Sequence, residues 1–207
     1  MNFTYPLDYI LGQPSKIKIL RFLIKSGVSM NGREIGKAVG LSHVRCHTIL
    51  KELSEQGIVS LRQIGRSTVY ELQQNHIVIK DWLKPLFKKE DLLKNSFART
   101  VTNFLSIKPL SVILFGSMSK KLARAESDID ILLVMPDKVN LKSCKREIIG
   151  LEENITRLYG NHLSPLFIKR AAFIRKLKTG DQFLKEVLKS GCLIYGRVFA
   201  ELLTDDS

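Results

Sequence analysis

The stretch Ser111 to Met135, SVILFGSMSKKLARAESDIDILLVM, decides the fold. Its first apolar run, Val112 to Phe115, stops at Gly116-Ser117. A second run, Ile131 to Met135, follows directly on Asp128-Ile129-Asp130. Short continuous apolar runs bounded by turn residues predict buried strands. A strand over 128–135 sets residues two apart on one face, so Asp128 and Asp130 point the same way. Two carboxylates held together repel unless a proton or a cation lies between them. A hard divalent cation with oxygen ligands meets that need. Gly116 permits a tight turn with close backbone approach, and Ser117 reads as the N-cap of a helix. The free N–H groups and dipole of a helix start suit a phosphate. Lys120, Lys121 and Arg124 follow and supply charge-assisted contacts. Ser127, just ahead of the Asp pair, joins Gly116, Ser117, Lys120 and Lys121 as a candidate residue of this site.

Gly-Ser, ten residues, then D-x-D between two strands resembles the G-S-x10-D-x-D motif of the DNA polymerase beta-like nucleotidyltransferase superfamily. The style is that of its minimal nucleotidyltransferases. The resemblance implies an α/β (α+β) fold with a mixed sheet, and a metal held by Asp128 and Asp130 as catalytic residues. It further implies a bound NTP, taken as ATP, whose NMP passes to a hydroxyl with release of pyrophosphate. In related minimal nucleotidyltransferases the acceptor is sometimes a partner toxin protein. Nucleotide-transferring members commonly carry a third carboxylate on the strand after the long helix. Here that strand is HLSPLFI, residues 162–168, which holds no Asp or Glu. The place falls on His162, Ser164 or Leu166, depending on register.

A chain of 207 residues fits one large or two small domains, and 44% hydrophobic residues supply a packed core. No apolar stretch approaches the roughly 18 residues that span a bilayer. Residues 1–9 read as neither signal nor transit peptide, so the expectation is a cytoplasmic protein without a membrane partner. Cys46, Cys144 and Cys192 form no C-x-x-C pair, which argues against both a disulfide framework and a zinc site. Net charge is +13, with 11 basic and 5 acidic residues up to residue 80 and 22 and 15 after it. That balance favours polyanionic partners, and it also favours solubility.

Ahead of the deciding stretch, helical apolar spacing covers 15–26, about 31–39 and 42–56, with Ser15, Asn31 and Ser42 as candidate caps. Two strands follow, Ile58–Gln63 and Thr68–Gln73, joined through Ile64-Gly65-Arg66-Ser67. Three helices and a basic-tipped hairpin resemble a winged helix-turn-helix, as does the run L-S-x4-H-x2-L-K-E-L-x3-G-I-V. That resemblance implies double-stranded DNA as a partner. The third helix would bring His43, Arg45, His47, Thr48 and Lys51 to the major groove, and Arg66 at the wing tip would meet phosphate.

The domain expectation is a winged helix over 1–74, a helical connector over 75–94 and a nucleotidyltransferase-like domain over 95–207. Pro85 ends or kinks the connector helix, and Trp82 packs at the junction. The connector's amphipathic character also suits a homodimer. In the last domain a long helix covers roughly 141–159, the third strand 162–168, two helices 171–178 and 181–190, and an extended stretch 191–195. Two functional readings follow. One is an Mg-dependent nucleotidyltransferase carrying a DNA-binding winged helix. The other is a DNA-binding regulator or antitoxin whose nucleotidyltransferase domain has lost turnover and senses nucleotide.

Overall fold

The computed structural model describes residues 6–119, 127–141 and 145–204. It divides into two units, 1–91 and 92–207.

The first unit opens with a short helix α1 (Pro6–Leu11) and then α2 (Pro14–Ser26). Pro14 starts α2, its fixed φ already helical. The expected Ser15 cap is therefore not used, and Gln13 stands at the cap position without a side-chain bond. A two-residue strand β1 (Met30–Asn31) leads into α3 (Gly32–Val39). Asn31 does cap α3: Glu34 N–H donates to Asn31 Oδ1 at 2.9 Å, and Asn31 N–H donates to Glu34 Oε2 at 3.1 Å. This reciprocal pair satisfies two otherwise orphaned donors. Asn31→Ala is expected to cost about 1 kcal/mol, read as a lower thermal midpoint with an unchanged far-UV spectrum.

Helix α4 (His43–Glu55) is capped by Ser42, whose Oγ accepts from Arg45 N–H at 3.3 Å. Cys46, Ile49, Leu50 and Leu53 bury one side of it. Strands β2 (Val59–Ile64) and β3 (Ser67–Leu72) form an antiparallel hairpin, with β1 on the far side of β3. Ile64 pairs with Ser67, so the turn is the two residues Gly65-Arg66 and not the four expected. Gly65, at φ 59°, supplies the backbone that so tight a turn requires. A wide π-helical turn, Val78–Leu83, runs straight into α5 (Lys84–Asp91). Pro85 thus does not end the helix: the chain stays helical through it, and the change from π-type to α-type winding falls at this position. Val78, Ile79, Leu83 and Phe87 share one core with Leu20, Ile35, Leu50 and Tyr70. Trp82, given a junction role by its sequence position, is 39% exposed.

The second unit is a four-stranded mixed sheet with helices on both faces. In chain order it runs α6 (Leu93–Phe104), β4 (Ser111–Phe115), a single helical turn α7 (Gly116–Ser119) and β5 (Ile129–Met135). Then come α8 (Lys145–Tyr159), β6 (Leu163–Lys169), α9 (Arg170–Lys178) and α10 (Gln182–Ser190). Strand β7 (Cys192–Gly196) and α11 (Phe199–Thr204) close it. Strand order is β6-β5-β4-β7, with β5 and β6 parallel and the other pairs antiparallel. The parallel pair needs a crossover, which α8 provides.

Alternation divides the sheet residues between two cores. Val112, Leu114, Ile129, Ile131 and Leu133 pack with Phe97 and Val101 of α6 and with Leu151 and Ile155 of α8. Ile113, Leu132 and Val134 pack with Phe173 of α9, Leu184 and Val187 of α10, and Leu202 of α11. From Ile131 to Met135 strand β5 is buried on both faces, which is why that run is unbroken apolar and does not alternate. Among the described residues no helix is long and apolar enough to cross a membrane.

Candidate functional site

The antiparallel pairing of β4 and β5 sets Phe115 directly opposite Asp130. Gly116 follows at φ 71°, in the left-handed region, and turns the chain over the first residues of β5. The approach is close. A Cβ on Gly116 would overlap Asp130 Oδ2 outright and lie 3.1 Å from its Cγ. Only a residue without a side chain fits both the backbone angle and the contact.

Asp130 is half-buried, and Asp128, two residues earlier, is exposed. Burial first, and the Asp128 charge second, hold the Asp130 carboxyl above its usual range. Desolvation disfavours the charged form, and the nearby like charge adds to it. By strand alternation Asp130 lies on the face of Leu132 and Val134, the face covered by α9, α10 and α11. The Ser127 carbonyl accepts from Asn161 Nδ2 at 3.1 Å, and Ile129 N–H donates to the His162 carbonyl at 2.8 Å. These bonds fix the segment that carries the Asp pair against the start of β6.

Ser117 lies inside the first turn of α7 and does not precede it, so its expected capping role is not found. In that turn it is Ser119 whose hydroxyl bonds back, to the Gly116 carbonyl at 2.8 Å. Lys120, Lys121 and Arg124 lie outside the described residues. So does Cys144.

The β5–β6 register resolves where a third carboxylate would stand. Asp130 pairs with Ser164, and Leu166 pairs with Leu132 deeper in the sheet. His162 precedes β6 and meets β5 through its backbone. On the β6 side the neighbour of Asp130 is therefore a serine. Among the described residues no cluster of three or more His, Cys, Asp or Glu side chains is placed to hold a metal. The Asp pair is a two-carboxylate oxygen donor set, and its unrelieved repulsion fits one hard divalent cation.

In the first unit, His43, Arg45, His47, Thr48 and Lys51 are all exposed on α4, and Arg66 is exposed at the hairpin turn. His43, His47 and Arg66 line a common cleft of about 340 Å³ with Arg33, which sequence reading missed. The two imidazoles stack at a centroid separation of 6.3 Å, as i,i+4 residues do on a helix. Arg45 instead turns to the N-terminal side and donates to Gln13 Oε1 at 3.0 Å. Thr48 Oγ donates to the Val44 carbonyl at 3.0 Å. Val44 itself is 75% exposed, an apolar side chain left in solvent on the helix expected to meet a partner.

A comparison with curated proteins finds no match. Several solved structures are similar. One is a toxin-antitoxin with AMP-PNP, at TM-score 0.39 and 17% identity over 53% of this chain and 78% of that one. Another is the AntR antimony-specific transcriptional repressor, at TM-score 0.36 and 19% identity over 44% of this chain and 77% of that one. A third is TrmBL2, an archaeal chromatin protein, at TM-score 0.27 and 15% identity over 84% of this chain and 68% of that one. The family described as "Polymerase beta, Nucleotidyltransferase" matches residues 99–199, the span that contains Gly116-Ser117 and Asp128-x-Asp130. With that match, and with the motif at the adjoining ends of two paired strands of a mixed sheet, residues 99–199 are a nucleotidyltransferase domain of the polymerase beta type.

Proposed function

We propose that the chain is a metal-dependent nucleotidyltransferase that carries a DNA-binding winged helix. The observation that carries this reading is the close approach of the Gly116 turn to Asp130, which brings the backbone of the turn beside the Asp pair. Asp128 and Asp130 would hold Mg2+ or Mn2+. When bound, such an ion neutralises the phosphate charge that develops as pyrophosphate leaves. Gly116 and Ser117 offer backbone N–H groups to the phosphates of an NTP, taken as ATP, and Lys120 and Lys121 follow in the chain with further positive charge. Ser127 would lie at the edge of the same site, its carbonyl held by Asn161. Ser164 beside Asp130 is no base at neutral pH, so that position supplies no proton abstraction. The acceptor is a hydroxyl, which a protein partner such as a toxin can present.

A second reading draws on the same Ser164: a regulator or antitoxin that binds nucleotide without turning it over. Labelled ATP with Mg2+ and candidate hydroxyl acceptors separates the two. Transfer of label supports the enzyme. ATP bound with no label moved to any acceptor supports the sensor.

For the winged helix, the proposed partner is double-stranded DNA, approached by His43, His47, Lys51 and Arg66. Arg45 and Thr48 enter only if they leave their present intrachain partners. A homodimer, as many two-fold DNA sites require, belongs to the same proposal. Lys51→Ala with Arg66→Ala is expected to weaken duplex binding uniformly across sequences and to flatten its salt slope by about one for each phosphate that is no longer neutralised. A gel shift at two salt concentrations reads both. Binding that ignores salt would count against the DNA role.

A further inference from the structure

We propose that Phe183 is the platform on which the base of the bound nucleotide stacks. The proposal rests on the reading of Gly116, Asp128 and Asp130 as the phosphate and metal site. Phe183 is the second residue of α10, a helix that buries Leu184 and Val187 in the sheet's second core. Its own ring stays 43% exposed. It meets Phe115 edge-to-face, with centroids 5.5 Å apart and planes at 84°.

That single contact places the ring. Phe115 is the strand partner of Asp130 and the chain neighbour of Gly116. Directly opposed residues on neighbouring strands hold their Cβ atoms about 5 Å apart. Phe183 is thus one aromatic ring removed from both halves of the phosphate and metal site, and α10 covers the same sheet face that Asp130 occupies. A nucleotide whose phosphates sit on the Gly116 turn extends its base away from them by a distance of the same order. The half-exposed ring is what it would meet. Phe115 fixes Phe183 from one side, so the platform is positioned before ligand arrives, and an edge-to-face neighbour is a favourable support for it.

Stacking needs a π-face and no hydrogen-bonding edge, so it tolerates every base. The substrate class that follows is nucleoside triphosphates with weak discrimination among bases, purines held better for their larger overlap. Phe183 is then a positioning residue for the nucleotide and touches no reacting atom.

Binding of ATP, UTP and base-free tripolyphosphate, each with Mg2+, tests this on the full chain without any need for turnover. The variants are Phe183→Ala, Phe183→Leu and Phe183→Tyr. Leucine keeps apolar cover over Phe115 and removes the π-face, so it separates stacking from packing; tyrosine restores the ring. The expected result is about tenfold weaker ATP binding in the Ala and Leu variants, near wild-type binding in Tyr, and unchanged tripolyphosphate binding throughout. ATP binding unaffected in Phe183→Leu overturns the proposal, and so does an equal loss of ATP and tripolyphosphate. Wild-type protein that binds tripolyphosphate as tightly as ATP removes the stacking role alone. Wild-type protein that binds neither removes the phosphate and metal reading, and the platform with it.

Discussion

Gly116→Ala is expected to reduce Mg-dependent ATP binding by well over tenfold while the rest of the fold persists. Two costs coincide at this position. A residue with a Cβ at φ 71° adopts the left-handed region, at about 1–2 kcal/mol. The added carbon also overlaps Asp130 Oδ2, and relief requires either the turn to lift or the carboxylate to rotate away. Each of those movements separates the two halves of the site. The second cost disappears if Asp130 is shortened. Gly116→Ala measured in an Asp130→Ala background is therefore expected to show only the conformational part of its stability penalty. A double-mutant cycle in thermal denaturation checks this, since residues in contact couple. Additive effects would mean that turn and carboxylate do not meet.

The second large effect concerns the Asp pair, where function and stability are expected to move in opposite directions. Asp128→Asn with Asp130→Asn should abolish Mg-dependent ATP binding, because two charged ligands become neutral amides that hold a hard cation poorly. In EDTA the same variant should be at least as stable as wild type. Burial and the neighbouring charge hold Asp130 above its usual range, so its ionised form is disfavoured in the folded state. The folded state then binds more protons than the unfolded one near the ordinary carboxylate range, and stability falls as pH rises through it. Asparagine removes that charge. Thermal melts in EDTA at neutral pH, beside ATP titrations in Mg2+, measure both halves. A variant that melts well below wild type would mean that the carboxylates hold the fold and not a cation.

The parts of this protein legible from sequence are those with local causes. Unbroken aliphatic runs announced β4 and β5 because the central strands are covered on both faces. Asn31 and Ser42 marked two helix starts because capping is a contact within three or four residues. Register is different. Ser164 stands beside Asp130 through pairing 34 residues away, and no local signal separates it from His162 or Leu166. Ser117 does not cap because the helix opens on glycine, two positions earlier than a serine cap implies. Helices α1 and α11 are six residues each, too short to be helical alone, and are held by Ile10 and Leu202 in their cores. Arg45 looks like a groove residue by helix position, and only the fold brings Gln13 to it. Phe183 carries no signal of its own, since its partner Phe115 precedes it by most of the domain.

The central claim is that the Gly116 turn and the Asp pair form one metal-and-nucleotide site. Calorimetric titration of the whole chain with ATP tests it most directly, once in Mg2+ and once in EDTA. The account predicts saturable one-site binding in Mg2+ that disappears in EDTA and in the Asp128→Asn, Asp130→Asn variant. Equal binding with and without the cation, or binding that survives in that variant, would contradict it.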